Sequence, residues 1–428
     1  MEQKTALIYT LGCRVNTCES LSFADRLSEN GFKILAKNSN KTPDVVFVNT
    51  CAVTAESARK SKQIVRRYRQ KFPESTIVAA GCAVQAGENF DADIVFGNGD
   101  KDEIAKLCLS GKPSEKIVSV PDAKLFGKCS DASYITPYKS RCHIKIEDGC
   151  DSKCAYCIIP SLRGHVRSKD PEKLLSEIKS RVSDGAKEIV LTGIETGSYG
   201  KDLENISLAD ILEEADKLDG LYLIRLGSMD PFSISDEFIE RISKLKHFEN
   251  HFHLSVQSGC SKTLAAMKRK YNAERLWETI EKLYAKFPDI ALTADIITGF
   301  PGETDEDFEK TLEFAKKAKF LHMHIFPYSE RSGTVACEMD GKVPVETRHR
   351  RAEILGKVNI ENKQKRLESA VGKVETVHFE TKKGGLNTGY TRSYMPVTVE
   401  CDEDLKGQVR KVKIEKVENL TLIGGTVD

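Results

Sequence analysis

Short apolar runs alternate with helix-like segments through most of the chain, and this alternation constrains its fold more than any other feature. In the first 100 residues, β-branched runs bounded by turn residues predict strands at 5–12, 44–50, 75–81 and 92–97. Helical patterns lie between them. Because alternating strands and helices form parallel sheets, we predict an α/β domain of the Rossmann or flavodoxin-like kind at 1–115.

The alternation resumes in the middle of the chain. Strands are predicted at 143–150, 187–193, 221–227, 251–257, 291–299 and 320–329, with helical segments between them. About six βα units fit a full or partial barrel, whose functional loops follow the carboxyl ends of the strands. We expect this domain at 136–366, after an aperiodic linker at 110–135 and ending in a long charged helix.

The end of the chain has a different pattern. Five or so short strands separated by Gly, Asn and Asp turns predict a small antiparallel β-barrel at 367–428. From residue 369 onward this segment has nine basic and nine acidic residues. It is therefore not a basic domain, and any nucleic-acid contact there must be local.

Composition limits the class of protein without identifying a partner. The chain has 65 basic and 64 acidic residues, and no apolar run approaches the roughly 18 residues that a membrane span needs. The start lacks the pattern of a signal peptide. Thirteen cysteines without a secretion signal favour metal ligands or thiols over disulfides. We therefore expect a cytoplasmic, multi-domain, metal-containing protein.

Three amino-terminal cysteines occupy equivalent positions, each directly after a predicted parallel strand: Cys13, Cys51 and Cys82. The carboxyl ends of such strands form the binding crevice of open α/β sheets. Neighbouring strands lie about 4.8 Å apart, so three thiols there could converge on one metal site. The alternative is three small buried residues, since free cysteine is often buried.

A second cysteine trio lies in the loop after the first predicted strand of the middle domain. Its spacing is C-x3-C-x2-C, formed by Cys150, Cys154 and Cys157. Structural zinc sites use C-x2-C elements and four ligands, and the fourth could be Cys142, His143 or His165. Iron–sulfur clusters usually take four cysteines, so a cluster held by three would leave one iron open to a non-protein ligand. Spacing alone leaves both interpretations open.

Longer stretches around these cysteines resemble one family. The loop and its flanks, IEDGCDSKCAYCIIPSLRGHVRS (146–168), resemble the radical S-adenosylmethionine methylthiotransferases, as do HLSVQSGC, MKRKY, DIITGFPGET and FPYSERSGT. LGCRVN, NTCAVT and AAGC match the domain that carries this family's auxiliary cluster, and GYTRSYMPV resembles a TRAM RNA-binding domain. The resemblance covers essentially the whole chain. It is closest to the branch that acts on threonylcarbamoyladenosine beside the tRNA anticodon.

The resemblance implies two 4Fe-4S clusters and S-adenosylmethionine as cofactors. The Cys150 loop would hold the cluster that cleaves S-adenosylmethionine to methionine and a 5′-deoxyadenosyl radical, which takes the hydrogen from adenine C2. The amino-terminal trio would hold the auxiliary cluster that presents sulfur, and a second S-adenosylmethionine would supply the methyl group. Implied partners are the tRNA anticodon stem-loop and an electron donor such as flavodoxin or ferredoxin. No catalytic residue beyond the cluster ligands is implied, and the sulfur source stays unknown.

Several residues near predicted strand ends are candidates for binding S-adenosylmethionine. Barrel strand ends favour function, although turns and helix caps use the same residue types. Glu195 is a partial match, because TGIE lacks the second glycine of the superfamily pattern. The candidates are Tyr156, Gly193, Ser228, Asp230, Gln257 and Asp295.

Basic and aromatic residues in three places are candidates for binding RNA. A helix at 58–71 carries seven basic and no acidic residues, which suits phosphate contacts or simply a solvated face. Two arginines follow the cluster loop and could meet a phosphate or carboxylate, and residues of the last domain could stack on bases. The candidates are Arg59, Lys60, Lys62, Arg66, Arg67, Arg163, Arg167, Lys382, Lys383, Tyr390, Arg392 and Tyr394.

The leading hypothesis is therefore a tRNA methylthiotransferase that modifies threonylcarbamoyladenosine at position 37. A second hypothesis keeps the chemistry but moves the target to isopentenyladenosine in tRNA or to a ribosomal-protein aspartate. A third, of another class, is a zinc-stabilised RNA-binding protein without catalysis.

Overall fold

The first domain is a six-stranded sheet in which all neighbouring strands are parallel. The computed structural model describes residues 3–39, 41–99, 101–129 and 141–427. The strands are β1 (Thr5–Thr10), β2 (Lys33–Leu35), β3 (Val45–Thr50), β4 (Thr76–Gly81), β5 (Ile94–Phe96) and β6 (Ile117–Ser119). The helices are α1 (Arg14–Glu29), α2 (Ala55–Lys71), α3 (Cys82–Gln85) and α4 (Lys101–Leu109). The order β2-β1-β3-β4-β5-β6 is flavodoxin-like with one added strand.

Apolar layers cover both faces of this sheet, which explains its continuous hydrophobic runs. All six positions of β3 are buried, as expected for a parallel strand between two helix layers. The sequence pattern missed β2 and β6, each only three residues long. β6 and a 3-10 helix at Ala123–Leu125 lie within the predicted linker, so the sheet extends past residue 115. The linker's last six residues, 130–135, lie outside the described residues.

The middle domain is a partial barrel of parallel strands in two sheets, β11-β10-β7 and β12-β13-β14-β15, with a small antiparallel pair β8-β9. The strands are β7 (Arg141–Lys145), β8 (Glu147–Asp148), β9 (Arg167–Ser168), β10 (Glu188–Thr192), β11 (Leu223–Leu226), β12 (Ser228–Met229), β13 (His251–Gln257), β14 (Ala291–Thr298) and β15 (His322–Pro327). The helices are α5 (Ile159–Arg163), α6 (Pro171–Ser183), α7 (Leu208–Asp216), α8 (Asp236–Ile242), α9 (Ser261–Ala266), α10 (Ala273–Lys286), α11 (Asp305–Ala318) and α12 (Val345–Glu368), with 3-10 turns at Thr196–Ser198, Pro231–Ser233 and Val335–Glu338.

Strand alternation gives this partial barrel an apolar outer face and a polar inner face. On β13, Phe252 and Leu254 belong to the large core beneath the helices. His251 and His253 alternate with them and therefore face inward, as do Thr293 and Asp295 on β14 by the same argument. The inner face is thus lined by groups able to bind ligands.

The last domain is a closed five-stranded barrel in the order β16-β17-β18-β20-β19. Its strands are β16 (Val374–Lys383), β17 (Leu386–Thr391), β18 (Pro396–Glu400), β19 (Val409–Glu418) and β20 (Thr421–Thr426), around an apolar core of their own. This confirms the predicted fold class of a parallel α/β domain, a radical-SAM-type partial barrel and a small β-barrel. In the part of the chain that the structure describes, no helix is long and apolar enough to cross a bilayer.

The closed barrel docks on the amino ends of the partial-barrel strands through buried ion pairs. Glu188 accepts hydrogen bonds from Arg225 Nε at 2.5 Å and from His378 Nδ1 at 2.9 Å. Arg225 also donates to the Thr391 carbonyl at 3.0 Å. Because unpaired buried charges are costly, these pairs fix the orientation of the last domain.

Candidate active site

The C-x3-C-x2-C loop is held in a defined conformation by its flanking backbone. Gly149 has a φ of +83°, and a Cβ there would collide with the His165 carbonyl, so only glycine fits. The Cys150 amide donates to the Gly164 carbonyl at 3.0 Å, and the Ala155 amide donates to the Met267 carbonyl at 2.9 Å. Backbone hydrogen bonds to residues after the loop therefore fix its conformation at the strand ends.

The three thiols of this loop lie within electrostatic reach of one another. Each of Cys150 and Cys157 has a raised pKa, about 12 for Cys157, chiefly because burial disfavours the thiolate. The neighbouring Cys154 charge raises both further. Three neighbouring thiolates need a positive charge beside them to stabilise their negative charges. Bound iron or zinc would supply that charge.

Spacing distinguishes a single ion from a cluster. Three thiolates on one tetrahedral zinc, at Zn–S distances near 2.3 Å, lie about 3.8 Å apart. In neither cysteine trio do all three sulfurs lie within 4.8 Å of one another, in the described part of the chain. Among the described residues, neither trio therefore forms a preformed three-sulfur site of the size that a single zinc ion needs.

The proposed fourth zinc ligands are also placed elsewhere. The Cys142 side chain lies in the central apolar core and is fully buried. His165 is exposed and contacts Asp151 through Nδ1 at 2.7 Å. Burial and the nearby Arg14 charge lower the pKa of His143 to about 3. These positions give no support to a four-ligand zinc site at the loop.

Arg269 is a site residue that sequence reasoning missed. Its guanidinium donates to Cys154 Sγ at 3.1 Å, to the Tyr156 hydroxyl at 3.4 Å and to Asp230 Oδ2 at 2.8 Å. It thus joins the cysteine loop to the next strand end and places a positive charge beside Cys154 Sγ. The only signal in the sequence was its position inside the MKRKY segment.

Gly193, Glu195 and Asp230 lie next to one another at the strand ends, beside Arg269. A Cβ at Gly193 would collide with Glu147 Oε1, which accepts the Glu195 amide at 2.6 Å. Glu195 in turn accepts the Asp230 amide at 2.8 Å. Burial and the Asp230 charge raise the pKa of Glu195 to about 7. The structure therefore brings Gly193, Glu195 and Asp230 together beside the cysteine loop.

The other candidates for the cofactor are distributed around the same strand ends. Tyr156 contacts Arg269, and Ser228 begins β12 two residues before Asp230. Gln257 is buried at a β-bulge with a φ of +67°. Asp295 lies deeper in the partial barrel, where its carboxylate faces a histidine of β13. Its role in binding the cofactor stays a prediction.

The amino-terminal trio converges at the switch point of the first sheet. Cys13 precedes α1, Cys51 follows β3 and Cys82 begins α3, so they stand at the ends of the neighbouring strands β1, β3 and β4. Gly12, with a φ of +96°, brings its backbone so close that a Cβ would lie 3.0 Å from Cys51 Sγ. The crevice expected at this sheet edge is present.

The thiols of this trio interact electrostatically as well. Burial around the thiol raises the pKa of Cys13 to about 11 although the residue as a whole is exposed, and burial also raises that of Cys51. The Cys82 charge raises both. The Arg163 guanidinium opposes these effects at Cys13 and Cys51, so a cation already faces the site.

Arg163 and Arg167 do not face solvent, contrary to the expectation that they meet a substrate phosphate. Arg163 is 1% exposed and donates to Glu19 Oε1 and Asp148 Oδ1, each at 2.9 Å, and to Asn16 Oδ1 at 2.8 Å. Arg167 donates to the Arg163 carbonyl at 2.7 Å. Arg163 is thus a structural contact between the first two domains, within electrostatic reach of Cys13 and Cys51, and Arg167 supports its backbone.

The aromatic candidates of the last domain are also used internally. Tyr390 and Tyr394 stack on each other with centroids 4.7 Å apart, and the Arg141 guanidinium covers both rings. Arg392 donates to the Phe248 carbonyl at 2.6 Å. These three residues hold the barrel on the middle domain, and a role as base-stacking contacts stays a prediction for them. Lys382 is bonded to the Asp402 carbonyl, and Lys383 is exposed.

The basic helix α2 is only partly available for phosphate. Arg59 and Lys60 pair with Glu56, and Lys62 pairs with Glu88, an acidic residue outside the helix. The remaining candidates, Arg66 and Arg67, are exposed and have no ion pair with any described residue. A contact with RNA phosphates would therefore centre on these two.

Two family models match the chain. The radical SAM superfamily matches residues 144–315, and an uncharacterized protein family, UPF0004, matches residues 5–96. The first match covers the cysteine loop and most of the partial barrel. The second covers the amino-terminal cysteine trio.

Curated relatives align with nearly the whole chain. The threonylcarbamoyladenosine tRNA methylthiotransferase MtaB of Bacillus subtilis is 34% identical, covering 96% of this chain and 94% of the relative. MtaB of Thermotoga maritima is 37% identical over 82% and 81%. The tRNA-2-methylthio-N(6)-dimethylallyladenosine synthase of Caldicellulosiruptor saccharolyticus is 32% identical over 100% and 93%.

Solved structures share the fold at low sequence identity. The radical S-adenosylmethionine methyltransferase TsrM of Kitasatospora setae superposes with a TM-score of 0.58 and 13% identity, covering 90% of this chain and 81% of that one. Identity at this level supports the shared fold alone.

Proposed function

This chain belongs to the radical S-adenosylmethionine tRNA methylthiotransferases, and from that premise we propose that it methylthiolates C2 of N6-threonylcarbamoyladenosine at position 37 of tRNA. The observation that carries the proposal is the pair of cysteine trios at strand ends of adjacent domains, linked by Arg163. Membership makes the chain a transferase that uses S-adenosylmethionine and a 4Fe-4S cluster. A second 4Fe-4S cluster on Cys13, Cys51 and Cys82 is part of the proposal.

The cofactors, when bound, supply the radical and sulfur chemistry that protein groups lack. The cysteine loop would hold one cluster, since its thiols lie close enough for Cys154 to raise the pKa of Cys150 and Cys157. Arg269 lowers the cost of negative charge at Cys154. Glu195 and Asp230 present carboxylate oxygens beside the loop, which suits the ammonium end of an amino acid.

The substrate assignment is supported by Arg14, which directly follows the auxiliary ligand Cys13. Burial and the Arg14 charge lower the pKa of His143 on β7, so the Arg14 guanidinium lies within electrostatic reach of the middle domain. It is exposed and has no hydrogen-bond partner among the described residues. An unpaired arginine suits the carboxylate of a threonylcarbamoyl group and offers nothing to an apolar prenyl group.

tRNA binding is proposed at the exposed arginines of α2, with Lys382 and Lys383 as further phosphate contacts. An electron donor such as flavodoxin or ferredoxin is proposed as the reductant. The non-catalytic zinc hypothesis is excluded by the family assignment. Dimethylallyladenosine remains the second candidate substrate, because relatives named for it are also 32–33% identical.

Anaerobic assays of the full-length protein test the proposal directly. Iron analysis should give about eight irons per chain, falling to about four in Cys154→Ala and in Cys51→Ala. With reductant, S-adenosylmethionine and tRNA bearing threonylcarbamoyladenosine, mass spectrometry of nucleosides should show the 2-methylthio product. Four irons in the wild type would overturn the second cluster. If product formed only from tRNA bearing dimethylallyladenosine, the proposed substrate would be refuted.

Arg14→Gln tests the specificity argument. We expect KM for threonylcarbamoyl-tRNA to rise about tenfold or more, as for a lost charged hydrogen bond, while iron content is kept. Arg26→Gln, in the last turn of the same helix, is the matched control. Equal KM values for the two variants would contradict carboxylate recognition by Arg14.

A further inference from the structure

The inner face of the partial barrel carries a compact group of metal-ligand side chains apart from both cysteine trios. One ligand atom each from His253, Asp295 and His324 lie within 4.8 Å of one another. They stand on the adjacent parallel strands β13, β14 and β15, and Asp295 and His324 are register partners. Rigid strands, not loops, therefore set the spacing of this group.

The distances suit a single ion. His253 Nε2 lies 3.2 Å from Asp295 Oδ1. Nitrogen and oxygen ligands bound about 2.1 Å from one ion, at angles between octahedral and tetrahedral, lie about 3.0 to 3.4 Å apart. This pair already has the separation of two ligands on one ion.

A hydrogen-bond chain behind the group begins at a buried carboxylate. Glu249 is paired with Arg225 at 2.6 Å, so its charge is already balanced, and His251 Nδ1 lies 3.3 Å from it. A neutral His251 therefore donates from Nδ1 and accepts at Nε2. Its acceptor nitrogen lies 2.9 Å from the Thr293 hydroxyl, which can donate to it.

This chain fixes the orientation of the first ligand. The Thr293 hydroxyl has a second acceptor in the Phe252 carbonyl at 3.5 Å, and whichever one it donates to, its oxygen accepts from His253 Nδ1 at 2.8 Å. His253 Nε2 then carries a lone pair that faces the Asp295 carboxylate. Two acceptors at 3.2 Å repel unless a proton or a metal ion lies between them. A ligand histidine whose second nitrogen is held by such a partner is the usual arrangement around protein-bound metals.

We propose that His253, Asp295 and His324 bind one divalent transition-metal ion, with zinc as the leading candidate. Two imidazoles and one carboxylate suit zinc or iron(II), whereas magnesium and calcium prefer all-oxygen sites. His324 is exposed, which gives the ion a route of entry. The remaining coordination positions face the interior of the partial barrel. This inference does not rest on the proposed function.

Zinc content and zinc K-edge absorption of the anaerobic, cluster-loaded protein test the proposal. We expect about one zinc per chain after equilibration with micromolar zinc, with nitrogen and oxygen ligands near 2.0 Å and no sulfur near 2.3 Å. Iron does not contribute at this edge. A zinc signal with sulfur ligands would overturn the proposal. Absence of bound zinc would also overturn it, and would mean that a protonated His253 pairs with Asp295.

Matched variants assign the ligands. His324→Ala removes an exposed side chain and should weaken zinc binding about 100-fold or more in competition with a chromophoric chelator. Asp295→Asn should also weaken it, with iron content unchanged. His322→Ala is the control, because its ring lies 4.7 Å from that of His324 on the same strand but outside the group. Equal zinc affinity in His324→Ala and the control would refute the assignment.

Discussion

Replacing Arg163 with methionine is expected to destabilise the contact between the first two domains by about 3 to 5 kcal/mol. Methionine keeps much of the side-chain volume but removes three hydrogen bonds of 2.8 to 2.9 Å to Asn16, Glu19 and Asp148. Both carboxylates then stay buried with Lys145 as their closest remaining shared cation, at 2.9 and 2.7 Å. Removing one partner from a buried ion network leaves uncompensated charge, which accounts for the size of the effect.

Arg241→Met is the matched control, since Arg241 also binds two carboxylates, Asp210 and Glu213, but its side chain is 25% exposed. Solvent screening limits that loss to about 1 kcal/mol. Urea unfolding of the metal-free full chain, followed by the single tryptophan, Trp277, and by circular dichroism, measures both. With a slope near 3 kcal/mol/M, the Arg163 variant should unfold at about 1 to 1.7 M less urea. Equal midpoint shifts in the two variants would refute the reasoning.

Three further predictions follow from single contacts. Gly193→Ala should lower the thermal unfolding midpoint because its Cβ collides with Glu147, whereas Gly356→Ala, with open space around it, should not lower it. Glu195 has a pKa near 7 in the folded protein, above the ordinary value near 4.3. The free energy of unfolding of the wild type should therefore decrease as the pH rises from about 4 to 7. In thermal melts at pH 5 and 8, Glu195→Gln should show a smaller decrease. Arg66→Ala should reduce the salt dependence of tRNA binding by about one phosphate contact in filter-binding assays, and an unchanged slope would remove α2 from the interface.

Local patterns were enough to predict the α/β architecture and the convergence of the amino-terminal cysteines. Each of Cys13, Cys51 and Cys82 follows a strand with a strong apolar signal, and parallel pairing then places the three thiols at one edge. The strands β2 and β6 were missed because three residues carry too little periodicity to stand out from a loop.

Contacts between domains were not predictable from the same patterns. Arginine and tyrosine are residue types that often contact nucleic acids. The sequence does not show that Arg163, Tyr390 and Tyr394 instead pack against residues of a neighbouring domain. Glu19 lies 144 residues from Arg163, and Arg141 lies 253 residues from Tyr394. Arg269 was missed because of sequence separation within one domain, since its contact with Cys154 spans 115 residues. Contacts between domains depend on how the folded domains pack against one another.

The docking of the last domain has a consequence for substrate access. Arg141, Glu188 and His251 lie at the amino ends of β7, β10 and β13, and there they contact Tyr394 or His378 of the closed barrel. A base cannot reach the inner face from that side. It must enter from the carboxyl ends, where the cysteine loop lies, or past the edge strand β15.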